Sequence, residues 1–310
     1  MDKPVVVEAI NLTKKYGEAT AVNLLNLQVR QGEVFGFLGP NGAGKTTTIL
    51  MFLGLTEPNS GSARVCGHDP VKDGLKVRRT TGYLPENVGF YEDMSGRENL
   101  VYTARLNGIS YNKAKGKIDD LLSMVGLSDR ANDKVEKYSK GMKQRLGIAD
   151  VLVKDPSVVF LDEPTIGIDP DGVHRVLTII NQISREQNIT VFLSSHLLHQ
   201  VQTICDRIGI MVKGKLVTEG SMASLGKDVS GFDRVKIEVQ ATGTVEKLSD
   251  TVGRLEGVKG IERSGDLLII DAERDIRILI SNAISKQGES LLHLKLQEFV
   301  LEEIYMRYFH

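Results

Sequence analysis

The chain has 310 residues, with 39 basic and 40 acidic side chains for a formal net charge of -1, 41% hydrophobic and 25% charged. That balance allows two packed domains and excludes a disordered or collagen-like chain, and it removes the global positive field on which nonspecific nucleic-acid binders rely. Cys66 and Cys205 lie far apart with no Cys/His spacing around them, which predicts reduced, buried thiols and neither a disulfide framework nor a zinc site. The start, MDKPVVVEAI, lacks the basic opening and long apolar stretch of a secretory signal, and no segment reaches the roughly 18 to 20 apolar residues of a membrane helix. The expectation is a cytoplasmic chain that works at a membrane only through another protein.

Val5 to Leu12 and Val22 to Val29 alternate apolar and polar residues as strands do, with a turn expected at Lys14 to Gly17. Three continuous apolar runs follow, Val34 to Leu38, Val158 to Leu161 and Thr190 to Leu193. Such runs suit parallel strands covered by helices on both faces. Between the first two, Arg97 to Leu106, Asn112 to Val125 and Met142 to Val153 carry apolar residues at spacings of three and four, which predicts a helical insert. After the third, Leu197, Val201, Ile204 and Ile208 continue a helical stripe, and Ile208 to Thr218 reads as a hairpin turning at Lys213-Gly214.

The pattern weakens from Ser221 to Phe232, and a new alternation begins at Val235. Boundaries are therefore expected at 1–220 and 230–310. The second part reads as strand (Arg234 to Gln240), helix (Val245 to Leu255), strand (Val258 to Arg263), strand (Leu267 to Asp271), helix (Asp275 to Lys286), strand (Leu291 to Leu296) and helix (Glu298 to Tyr308). The whole predicts an α/β core with an antiparallel β subdomain and a helical insert, plus a small C-terminal α+β domain.

Directly after the first buried run comes Gly39-Pro40-Asn41-Gly42-Ala43-Gly44-Lys45-Thr46, followed by Thr47, which fits G-x-x-x-x-G-K-[ST] in the required strand–loop–helix context. Glycines at 39, 42 and 44 let successive N–H groups converge on one concavity, and the helix N-terminus adds partial positive charge. Lys45 then neutralises the β- and γ-phosphates of ATP, and the Thr46 hydroxyl sits on Mg²⁺. The second buried run ends in Asp162-Glu163-Pro164. In P-loop ATPases the strand-end acid reaches Mg²⁺ and the next carboxylate polarises the attacking water, which assigns Asp162 to the metal and Glu163 to the general base. Taken alone, both carboxylates could merely cap a loop. Asp169-Pro170 reads as an N-cap and first helical residue of a helix through Gln187, leaving Asp169 structural, functional or both. Ser194-Ser195-His196 closes the third run at the edge where parallel sheets bind ligands, from which His196 can reach a γ-phosphate.

With Tyr138-Ser139-Lys140-Gly141-Met142-Lys143-Gln144-Arg145 in the expected order, residues 5 to 220 resemble the nucleotide-binding subunit of ATP-binding cassette transporters, whose signature is LSGGQ-x-x-R. The resemblance implies two cassettes, expected here as a homodimer, paired head to tail, with Ser139 and the Gly141 backbone of one closing over ATP held by the phosphate loop of the other. It implies that Gly167-Ile168-Asp169 touches the partner cassette and that Tyr16 stacks on adenine, where an ordinary turn tyrosine is the bland reading. It further implies a separate integral membrane permease that holds the chain on the inner face of the membrane, near Phe90 and Tyr91, which could equally close a small satellite core.

Two motifs depart from the pattern, at three positions. Glu86 stands where the family usually has Gln, keeping a possible contact to ATP or the metal while lacking an amide donor. Lys140 and Met142 replace a Gly and the Gln of the signature. Both changes resemble the drug-resistance and ABC-2-type exporter branch, which implies multidrug export driven by ATP hydrolysis. A soluble ATPase of this family acting on nucleic acid or ribosomes is the alternative, though one cassette without sustained heptads fits it poorly. A small-molecule kinase would leave the signature unexplained.

Overall fold

A computed structural model describes residues 3–222, 224–225 and 235–297, the side chains of residues 199 and 297 excepted. They form two compact units that divide between Ser221 and Met222. In the first, β1 (Val5–Tyr16) and β2 (Ala19–Arg30) make an antiparallel pair joined at Gly17-Glu18. The turn therefore lies beyond the expected Lys14 to Gly17, because Lys14, Lys15 and Tyr16 still pair with Val22, Thr20 and Ala19. Register shifts and positive φ at Asn11 and Leu24 break the alternation that would have marked these residues as strand.

β3 (Val34–Leu38) is wholly buried and feeds the glycine loop into α1 (Lys45–Phe52). Three elements then appear that the hydrophobic pattern did not announce: β4 (Ser60–Val65), α2 (Gly74–Thr80) and β5 (Thr81–Leu84). β4 is built of small and polar residues because it is an edge strand, added to β1 to give the order β2-β1-β4. The helical insert follows as α3 (Gly96–Leu106), α4 (Tyr111–Met124) and α5 (Lys140–Leu152). α3 opens on a capping box in which Ser95 and Glu98 satisfy each other's backbone N–H.

Next come β6 (Val158–Asp162), α6 (Pro170–Gln187), β7 (Thr190–Ser195), α7 (Leu198–Ile204), β8 (Arg207–Val212) and β9 (Lys215–Gly220). The six-stranded sheet runs β5-β6-β7-β3-β8-β9, parallel except for the β8–β9 hairpin. Ile208 belongs to β8 and not to the helical stripe, since α7 stops at Ile204. α6 buries Val176, Ile179, Ile180 and Ile183, one face of a helix at spacings of three and four. Asp169 caps it by accepting from the Gly172 N–H at 2.9 Å.

Phe35, Phe37, Phe52, Phe160 and Phe192 interlock beneath the loop after β3, with neighbouring ring centroids 5.2 to 6.0 Å apart. All five are fully buried, each contributing about 1.5 to 3 kcal/mol of transfer free energy. They tie α1 to β3, β6 and β7, the elements that carry the polar site. Gly36 is required on β3 because a Cβ there would lie 2.4 Å from Val201 Cγ1 of α7. Cys66 and Cys205 are free and half-buried, less enclosed than expected, since both sit at the edges of elements.

The second unit contains β10 (Val235–Ala241), α8 (Val245–Gly253), β11 (Val258–Ser264), β12 (Leu267–Ala272), α9 (Arg277–Lys286) and β13 (Leu291–Gln297). Its antiparallel sheet has the order β11-β12-β10-β13. Ile237, Val239, Leu268 and Ile270 on one face pack with Leu248 and Val252 of α8 and Ile280 and Ile284 of α9. His293 pairs with Glu238 across the sheet at 3.2 Å. The helix expected at Glu298 to Tyr308, the strand residue Arg234 and His310 lie outside the described residues.

Candidate functional site

The candidate residues meet at the carboxyl ends of the parallel strands, where a sheet of this kind leaves a crevice. The loop Gly39 to Gly44 leaves β3, Asp162 ends β6 with Glu163 next to it, and His196 follows β7. Gly42 and Gly44 take φ of 79° and 103°, values that a side chain would strain, and a Cβ at Gly44 would collide with the Ala21 carbonyl at 2.2 Å. The loop is thus pressed onto β2. It is also tied to Ser195 by the Gly39 N–H and to the β8–β9 turn by the Gly214 N–H, which donates to the Ala43 carbonyl at 3.1 Å.

Lys45, 6% exposed, donates to the carbonyls of Gly39 at 2.8 Å and Pro40 at 3.3 Å. The same ammonium lies 3.2 Å from Glu163 Oε1. Glu163 Oε2 meets His196 Nδ1 at 2.9 Å. Although Oε1 has an ion partner, it is buried without a hydrogen bond of good geometry, a free acceptor inside the site. Glu163 itself sits at φ 49°, a left-handed conformation that costs a non-glycine residue about 1 to 3 kcal/mol. Its N–H is held by Ser194, through the carbonyl at 3.1 Å and the hydroxyl at 3.2 Å.

Asp162 is 2% exposed, accepting at Oδ2 from the Thr46 hydroxyl at 2.7 Å and at Oδ1 from the Ser194 hydroxyl. Burial and the nearby Asp162 carboxylate push the Tyr83 phenol up to about 12. Of the two adjacent buried carboxylates, Glu163 is paired with the Lys45 ammonium whereas Asp162 is held by the hydroxyls of Thr46 and Ser194, so the site favours a further cation. The hydroxyl of Thr46 beside a carboxylate oxygen is a hard oxygen donor set that fits Mg²⁺.

The remaining expected site residues lie on the loop itself or apart from these contacts. Tyr16 is 52% exposed at the end of β1, its ring face free enough for the Lys14 ammonium to sit 5.1 Å from the centroid. In the phosphate loop Asn41 is exposed, Pro40 half-buried and Ala43 buried, and Thr47 is half-buried in the first turn of α1. Glu86 is exposed in the loop after β5. Ser139 caps α5 by accepting from the Met142 N–H at 3.2 Å, and Gly141 faces Ile168, whose Cγ2 would lie 3.2 Å from an added Cβ. Within one chain these two groups therefore make local contacts. Sequence reasoning passed over Ser194, whose importance comes from its pairing opposite Asp162 in the β6–β7 register. It also missed Thr165, whose hydroxyl donates to Gln200 and ties the loop after β6 to α7.

Tyr91 is 55% exposed and stacks edge-on against Tyr102 of α3 at 4.9 Å. Asn99 clamps the Tyr91 backbone, accepting its N–H at 3.0 Å and donating to its carbonyl at 3.1 Å. Phe90 is half-buried. Among the described residues no helix is long and apolar enough to cross a membrane.

Residues 22–166 match the sequence pattern of the family described as "ABC transporter". The bacitracin transport ATP-binding protein BcrA of Bacillus licheniformis is 44% identical over 214 residues, 69% of each chain. The linearmycin resistance ATP-binding protein LnrL of Bacillus subtilis (strain 168) is 33% identical over 306 residues, 97% of each, so its likeness extends through the second unit. A solved structure titled as the ATP binding subunit of an ABC transporter superposes with a TM-score of 0.66 at 28% identity, covering 73% of this chain and 93% of that one.

Proposed function

The chain belongs to the family of ABC transporter ATP-binding proteins, and on that premise we propose how its residues divide the work of driving a separate membrane permease. ATP is bound and hydrolysed, and transport is carried by the other protein. Lys45 and the amides of the loop Gly39 to Thr47 hold the phosphates, with Tyr16 against the adenine. Thr46 and Asp162 would hold Mg²⁺, with Glu86 as a further candidate contact, and the ion would supply charge neutralisation at the β- and γ-phosphates. Glu163 accepts a proton from water as the water oxygen bonds to the γ-phosphorus and the bond to the β-phosphate oxygen breaks, leaving ADP. His196, fixed by its bond to Glu163, senses the γ-phosphate.

The observation that carries this reading is Glu163 Oε1, a buried carboxylate oxygen with no hydrogen bond, 3.2 Å from the phosphate-loop lysine. Ser139 and Gly141, turned to local partners in one chain, complete the site of a second cassette, with Ile168 and Asp169 in contact across the pair. The second copy is of this same chain. A permease held at the loop containing Phe90 and Tyr91 places the protein on the inner face of the membrane. The likeness to bacitracin transport and linearmycin resistance proteins supports movement of the cargo outward. It gives no support to an ATPase acting on nucleic acid or ribosomes.

Replacing Glu163 by Gln removes the proton acceptor and keeps the shape, so phosphate release falls about 10²-fold or more while ATP binding and ATP-dependent pairing persist. Phosphate release and size-exclusion chromatography with ATP measure the two effects. Release at the parental rate contradicts the base assignment.

A further inference from the structure

β6 and β7 end in register, with Asp162 opposite Ser194. Ser194 has no exposed surface, yet its hydroxyl makes two bonds at the centre of the site. It donates to Asp162 Oδ1 and accepts the Glu163 N–H at 3.2 Å. A hydroxyl has one proton to give and two lone pairs to offer, so this one group links the acid assigned to the metal with the backbone of the acid assigned to water.

We propose that Ser194 is a positioning residue for magnesium-dependent ATP hydrolysis, orienting the Asp162 carboxylate toward Thr46 and holding the turn that aims Glu163 at Lys45 and His196. The inference rests on the roles given above to Asp162 and Glu163. A carboxylate on its Cα–Cβ stem rotates in a broad torsional well, so its direction needs an external bond. Thr46 supplies one at Oδ2, but Thr46 is exposed and must keep its oxygen available to the ion. Ser194 supplies the bond from the buried side. Its second bond acts on Glu163, whose left-handed φ of 49° places the side chain between the lysine and the histidine.

A serine that only satisfied a strand end would change stability and leave metal dependence untouched. The test uses the full chain with Ser194→Ala and Ser194→Thr. Affinity for a fluorescent ATP analogue is measured in EDTA and across a Mg²⁺ titration, alongside phosphate release. In Ser194→Ala the EDTA affinity stays within about two-fold, while half-saturating Mg²⁺ rises and kcat falls by about ten-fold each, the range for an outer partner of a metal ligand. Ser194→Thr, which keeps the hydroxyl, recovers most of both. If the alanine variant does not fold, Ser194→Cys has nearly the same volume and a weaker donor, and carries the same expectation.

A folded Ala or Cys variant with parental Mg²⁺ requirement and kcat overturns the proposal. So does an affinity loss equal with and without Mg²⁺, which would mark a purely structural serine. Glu163→Gln run in parallel separates the layers: parental hydrolysis there removes the base assignment, whereas the Mg²⁺ shift in Ser194→Ala tests the hold on Asp162 independently.

Discussion

The strand ends and the start of α5 treat their polar groups in opposite ways. At the strand ends Lys45, Asp162, Glu163 and Ser194 are buried and bond mainly to one another. At α5, Ser139 is exposed and spends its hydroxyl on its own helix, while Gly141 is buried beside the loop at Ile168. Buried charge must be satisfied within the fold, so the groups proposed to be catalytic are already held together within one chain. An exposed helix start carries no such requirement and can be reserved for another molecule. The difference is what the proposed division of the site between two chains would leave in each of them.

The largest expected effect lies on the buried side. Lys45→Ala removes the phosphate cation and leaves Glu163 without its ion partner, so hydrolysis falls by on the order of 10²-fold or more, read by phosphate release. The same loss from an exposed residue such as Glu86 alone would blur the contrast between the two halves.

A smaller and more selective effect is expected at the tyrosine-bearing loop. Alanine at both Phe90 and Tyr91 breaks assembly with the membrane partner, measured by co-purification of the permease, and leaves ATP binding unchanged. The Asn99 clamp keeps the loop backbone in place in that variant. Loss of both properties, or of neither, contradicts the docking role.

The smallest effect concerns an acid outside both regions. Asp150, at the wall of a cavity of about 200 Å³ lined also by Tyr83, Thr103 and Lys154, has an oxygen without a hydrogen-bond partner. Burial raises its carboxyl above the ordinary range, although Thr103 and Lys154 act the other way. A raised folded-state value favours the protonated form, so its contribution is present below the unfolded-state value and is lost as pH rises through the folded one. Asp150→Asn therefore melts higher than the parent near neutral pH, and the gap closes on acidification. Melting temperatures that differ equally at every pH contradict this.

How much of this was legible before the fold was known follows from where each signal resides. Gly39 to Thr46 is a contiguous motif because one loop must wrap one phosphate group, and Val158 to Leu161 was readable as a buried strand because helices cover it on both faces. β4 was not readable, since Ser60, Gly61 and Ser62 at a sheet edge carry no hydrophobic rhythm. The turn after β1 was misplaced because bulges hide strand periodicity. Ser194 was visible as a letter and silent as a function: its bond to Asp162 depends on register between strands whose sequences are 32 residues apart. Within the second unit, the alternation of β10 and β12 was readable because one face alone is covered by α8 and α9.

The central claim, one complete site from two chains, is tested by mixing variants damaged in different halves. Lys45→Ala and Ser139→Arg are each inactive alone. Mixed in equal amounts, half of the pairs combine one of each, and in those the intact Lys45 of one chain faces the intact Ser139 of the other, restoring about a quarter of the parental hydrolysis. A mixture no more active than its separate components would contradict the divided site.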